Sequence, residues 1–167
     1  WLSPKNGKLW VKVIAAELSH HDPQNEKIYM DNATSAIAEI DEVVRSTKRL
    51  LSDVHEIKFI VFHDAYQYFE NHFEISALGS IVFADATKPT PSRLIEIEKK
   101  LKTLKIDCAF SEPQFDTGLL KIIKNQYKVP VSVIDPVGSQ IKLDTMFYPN
   151  FIKQIGEIIF HCRENGQ

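Results

Sequence analysis

The sequence has no apolar run approaching the roughly 18 residues that a membrane span requires. It begins at Trp1, with neither an initiator methionine nor a leader-type stretch ahead of it, and the expectation is a processed chain or a piece of a longer one. A basic excess is also missing: 20 Lys and Arg stand against 22 Asp and Glu, a formal net charge of −2. Phosphate-backbone binding draws on clustered positive charge, so no nucleic acid is expected as a partner. Glycine is scarce, 6 in 167 residues, and no Gly-rich phosphate loop, His-Glu-x-x-His pair or Gly-x-Ser-x-Gly elbow is found. Cysteine is scarcer still. Cys108 and Cys162 fit neither a zinc-finger count nor a disulfide-dense scaffold, and as residues they read equally well as two buried thiols or as one disulfide.

What is present is an average globular composition, 44% hydrophobic and 25% charged, which argues against a disordered tail, a collagen-like repeat or a coiled-coil rod. At roughly 150 residues per domain the length suits one domain with a real core and an appended element.

Ser3 followed by Pro4 reads as a helix start, a capping hydroxyl ahead of a proline at the first helical position. Trp10, Ile14 and Leu18 then recur at a spacing of four, and the helix should stop near His20, His21, Asp22 and Pro23. A second helix follows, with Ala33, Ile37, Ile40, Val44, Thr47, Leu51 and Val54 as its apolar stripe. From Pro23 to Asp53 it would be roughly 45 Å long, the length of a strut between two lobes.

Beyond it the pattern changes. Short β-rich runs at 57–62, 79–83, 107–110 and 131–134 alternate with helical candidates at 65–72, 92–104, 117–127 and 147–163, and residues 85–91 read as a connecting loop. The strands are too apolar for a sheet wet on one face. The expected fold is α/β: a four-stranded, mainly parallel sheet flanked by helices and preceded by a long inter-lobe backbone helix. Trp10, Tyr66, Tyr68, Phe69 and Phe73 are expected in the core.

Ligands of open parallel sheets gather at the carboxyl ends of the strands. There the sequence puts His63-Asp64, Ser111-Glu112 and Asp135, an imidazole and carboxylates along one edge. Such groups ligate divalent transition metals and also serve as acid and base. Each has a plainer reading: a hydrogen-bonded histidine after a strand, and turn chemistry at Glu112-Pro113 and Asp135-Pro136. His20 and His21 suit a helix end, and His55, His72 and His161 lack a neighbouring ligand type at helical spacing.

Four segments together carry a resemblance. Phe62-His63-Asp64-Ala65-Tyr66 with Tyr68-Phe69-Glu70, Leu78-Gly79, Phe110-Ser111-Glu112-Pro113-Gln114-Phe115 and Ile134-Asp135-Pro136-Val137-Gly138, with Trp1-Leu2-Ser3-Pro4 at the start, resemble the carboxy-terminal half of the metal-binding solute-binding proteins of ABC importers, the zinc-uptake group above all. The resemblance implies one metal held between two α/β lobes joined by a long helix, with ligands from both. It implies residues 1–22 as a helix following an amino-terminal lobe, 23–54 as the backbone helix and 55–167 as the carboxy-terminal metal-binding lobe. It makes His63 and Asp135 metal ligands, Zn²⁺ favoured over Mn²⁺ because manganese binders carry a glutamate in place of His63. Glu112 becomes a residue that orients a ligand rather than binding the ion. It also pairs Cys108 with Cys162, and an oxidising periplasm follows.

The family's further histidine ligands would lie upstream of Trp1, so half of a tetrahedral site is expected here, with an exposed apolar face prone to self-association. The implied function is capture of zinc in the periplasm and its delivery to a membrane permease, with no catalysis. The alternatives are a manganese or iron binder, a surface adhesin, or a small hydrolase using His63 and Asp135, for which no nucleophile is identifiable.

Overall fold

In the computed structural model, which describes residues 1–54, 56–82, 90–115 and 118–162, the Ser3 hydroxyl accepts a hydrogen bond from the Asn6 amide. With Pro4 at its first position this starts α1 (Pro4–His21), as a capping hydroxyl before a proline should. A short 3-10 turn, Pro23–Asn25, leads into α2 (Glu26–Ser52). The proline therefore opens a turn rather than the long helix itself. The 27 residues of α2 still span about 40 Å. The two helices pack as a hairpin, with Ala15 and Ala33 buried and Lys8 paired to Asp41 at 2.5 Å.

Strands and helices then alternate: β1 (Phe59–His63), α3 (Gln67–Phe73), β2 (Ser80–Val82), α4 (Pro91–Thr103), β3 (Cys108–Ser111), α5 (Gly118–Tyr127), β4 (Val131–Val133) and α6 (Phe147–His161). The four strands form one parallel sheet in the order β2-β1-β3-β4, with Val61 opposite Ser80, Phe59 opposite Cys108 and Ser111 opposite Val133. The chain leaves β1 on one side to form β2 and returns on the other side to form β3. The order thus reverses between β1 and β3, and at such a switch point an open sheet forms a ligand crevice beyond its carboxyl ends.

Every residue of β1 and β3 is buried, because helices cover both faces of the sheet. The period of two sorts their side chains. Phe59, Val61, Cys108 and Phe110 join Leu51, Phe69, Phe73, Phe151 and Ile155 on one face, while Ile60, Phe62 and Ala109 join Ile81, Ile97, Leu120 and Ile123 on the other. Phe59 and Phe110 meet edge to face at 5.5 Å. Burying a side chain of this size stabilises the fold by about 1.5–3 kcal/mol. The Cys108–Cys162 disulfide, with Cα atoms 5.9 Å apart, ties β3 to the residue after α6.

Some residues expected in the core are outside it. Tyr68 is 63% exposed and Trp10 47%. On α3 the buried set Phe69 and Phe73, continuing from Tyr66, follows the helical three-and-four spacing, and position 68 falls on the opposite side. On α1, Trp10, Ile14 and Leu18 form the outer face of the hairpin, with Val11 and Ile14 lining grooves along α2. β4, expected to be a covered strand, lies at the sheet edge, and its Val133 is exposed. Of the expected 85–91 loop, residues 85–89 lie outside the described residues, as do Phe83, Thr117, Arg163 and His55.

Candidate metal-binding site

His63 ends β1 and Glu112 follows β3, on the two sides of the switch point. His63 shares strand parity with Phe59 and Val61, and Glu112 shares it with Cys108 and Phe110, so the pleat turns both side chains toward the same face. Nδ1 of His63 bonds Glu112 Oε1 at 2.5 Å, with both residues buried. Phe115 packs edge-on to the imidazole at 5.5 Å and Tyr66 lies tilted at 6.2 Å. Burial pushes the Glu112 carboxyl up, and the charge and hydrogen bond of His63 work against that rise. A carboxylate that accepts from Nδ1–H fixes the orientation of the ring, as the partners of histidine ligands do in metal sites.

Glu112 Oε2 and Tyr66 Oη are both buried; among the described residues neither makes a hydrogen bond of good geometry, and the two groups interact with each other. Burial, followed by the charge and the hydrogen bond of Glu112 and then the charge of Asp135, drives the Tyr66 hydroxyl far above its ordinary range. Tyr66 therefore stands within the field of both carboxylates.

Asp135, in the segment after β4, is only partly buried and is held quite differently. Its Oδ1 accepts from the Val137 amide and from Gln114 Nε2, each at 3.0 Å. Its Oδ2 accepts from the amide and the hydroxyl of Ser139, each at 2.6 Å. Burial pushes the Asp135 carboxyl up, but the bonds from Ser139, Gln114 and Val137 outweigh it and hold the group below the usual carboxylate range. Gly138 closes the turn at φ 68°, and a Cβ there would press on Phe151, Phe147 and Ile141 at 3.1–3.3 Å.

The fold thus brings His63 and Glu112 into contact and puts Asp135 at the carboxyl edge of the same sheet, with β3 between its strand and that of His63. Next-nearest strands lie about 10 Å apart. Among the described residues, no three His, Cys, Asp or Glu side chains converge closely enough to hold an ion. His20 and His21 lie in the last turn of α1 and His72 in the last turn of α3.

Sequence reasoning did not single out Tyr66, Gln114 or Ser139 for the site. Gln114 follows the strand-end Glu112 by two residues, and an Asp with a Ser four residues on, across a glycine, is the pattern of a side-chain-capped turn; those two had a readable signal. Tyr66 reads as core and is buried, and only the structure shows its hydroxyl beside Glu112.

The profile of the family described as zinc-uptake complex component A, periplasmic, matches residues 1–161. The high-affinity zinc uptake system protein ZnuA of Brucella abortus is 38% identical over 162 residues, 97% of this chain and 48% of that protein. The chain spans about half the length of the curated relatives it matches. Among solved structures, a crystal structure of ZnuA superposes with a TM-score of 0.84 at 24% identity, covering 98% of this chain and 58% of that one. The laminin-binding protein Lmb of Streptococcus agalactiae, described as having adhesin and metal-transporting activity, gives 0.84 at 20% identity, covering 100% and 63%. These likenesses in three dimensions establish the fold.

Proposed function

The chain belongs to the zinc-uptake complex component A family, and from that premise we propose that it supplies the carboxy-terminal half of a zinc-capturing protein, with His63 and Asp135 as its ligands to the ion. The observation that carries the reading is the buried His63–Glu112 pair at the switch point of the sheet. Glu112 holds the imidazole from behind, and Asp135 is kept anionic by four donors. A neutral imidazole and a carboxylate suit Zn²⁺, and Mn²⁺ less well.

The ion is cargo: it is taken up and released without a bond being made or broken in a substrate, so the protein is a carrier and not an enzyme. Residues 55–167 act as the metal-binding lobe, 23–54 as the backbone helix and 1–22 as the helix leading into it. Delivery to an ABC-transporter permease from the periplasm completes the reading, and the Cys108–Cys162 disulfide suits that oxidising compartment. The outer face of the α1–α2 hairpin, with Trp10, Ile14 and Leu18 exposed over grooves of about 370 and 240 Å³, is the surface against which the other half of such a protein packs. On the isolated chain that face drives self-association.

Two protein ligands do not close a tetrahedral site. Calorimetric titration of this chain should show weak binding of one zinc per chain, abolished by His63→Ala and by Asp135→Ala. Binding that survives both substitutions would overturn the assignment. Light scattering should show a dimer or larger species, and a monomer would contradict the exposed-face argument.

A further inference from the structure

Trp1 is far from Asp135 in sequence, yet its indole Nε1 donates to the Pro136 carbonyl at 2.7 Å. That carbonyl and the Val137 amide belong to one peptide unit, and the Val137 amide donates to Asp135 Oδ1 at 3.0 Å. A peptide unit is planar and stiff, so holding its oxygen sets the direction of its N–H. One end of this plane is held by the indole and the other by the carboxylate.

The indole is itself anchored. Tyr148, on α6, donates its hydroxyl to the Trp1 carbonyl at 2.8 Å and lies 3.2 Å from that of Ser3. Beneath the turn, Phe147 and Phe151 pack against Gly138. The turn is therefore clamped between α6 and Trp1, three residues ahead of α1, while Gln114 braces the carboxylate from the segment after β3. Donor and acceptor bonds at the two ends of one amide also polarise it, each strengthening the other.

We propose that Trp1 is a positioning residue for the metal-binding carboxylate: its indole N–H orients the 136–137 peptide and through it Asp135. The inference rests on the assignment of Asp135 as a zinc ligand. Phenylalanine at position 1 keeps an aromatic ring and removes only the donor, on a side chain that is 56% exposed, so the fold is retained.

The test uses this chain with zinc alone as the probe and combines calorimetry with amide hydrogen exchange in metal-free protein. Trp1→Phe should weaken zinc binding by about fivefold, the effect of one neutral hydrogen bond, and should speed exchange of the Val137 amide. Asp135→Ala should lose binding, and adding Trp1→Phe to it should change nothing further. Unaltered exchange at Val137 in Trp1→Phe overturns the clamp, whatever zinc does. Faster exchange with unaltered zinc binding, while Asp135→Ala loses it, also overturns the positioning role. Parental zinc binding by Asp135→Ala instead overturns the ligand assignment and, with it, the reason for positioning.

Discussion

His63 and Asp135 stand at the same edge of one sheet and are held by different means. His63 belongs to a central strand whose five residues are all buried, and its partner Glu112 extends another strand buried throughout. Asp135 follows an edge strand and receives its hydrogen bonds from its own turn and from Gln114. The first donor owes its position to the packing of the whole core, the second to a local arrangement of amides and hydroxyls. Changes that reach His63 should therefore also reach global stability, while changes around Asp135 should be felt in binding alone.

The largest effect is expected where the core is tied. Replacing both cysteines, Cys108→Ala with Cys162→Ala, opens a ring with sequence separation 54 and should cost about 4 kcal/mol in the chain-entropy view. Guanidinium unfolding reads it, and a loss under 1 kcal/mol would show that the strand carrying Glu112 does not depend on the tie. Glu112→Gln comes next: a neutral amide in place of the carboxylate should weaken zinc binding by about 10–100-fold, measured by competition with a chromophoric chelator. A change below threefold would mean that the charge of the partner behind the imidazole does not matter to binding. Ser139→Ala deletes one hydroxyl bond to Asp135 and should weaken binding by about fivefold with the melting temperature unchanged. A fall in both would mean that the turn is part of the core after all.

The smallest effect concerns acid. His72, on α3, has its Nε2 buried without a hydrogen-bond partner among the described residues, and burial, then Lys48 and Lys8, lowers its pKa. The folded protein then resists a proton that the unfolded chain takes up near its ordinary value. The stability from neutral His72 is complete above that value and is lost as pH falls through it toward the lowered one. His72→Gln should flatten the fall in melting temperature between about pH 7 and 5; an unchanged slope would assign that fall to other groups.

Much of this was legible in the sequence. Ser3-Pro4 announces α1, the apolar stripe announces α2, and the short β-rich runs put His63, Glu112 and Asp135 at strand ends. Local chemistry sufficed for these. Strand order was not legible: no residue of β3 says that it pairs with β1 on the side away from β2. The bond between His63 and Glu112 depends on that pairing, because only adjacent strands bring their ends within contact. Nor do the cysteines by themselves declare a bond; the family resemblance supplied the pairing, and the fold places the two together. Trp1 carried no local signal, since a hydrogen bond 135 residues long in sequence is a product of tertiary structure.

One contact between helices has mechanical meaning. A Cβ on Gly156 would lie only 2.5 Å from Thr47 Cγ2, so α2 rests directly on the backbone of α6 at that crossing. The long helix is there a beam on a narrow bearing, with little depth to roll or slide. From Thr47 to the Glu26 end is a lever of roughly 30 Å, over which a tilt of 5° would carry the tip about 3 Å. Because the bearing is a missing side chain, adding one methyl group at position 156 would shift the pivot and, with the gain of the lever, be felt mainly at the far end of the hairpin.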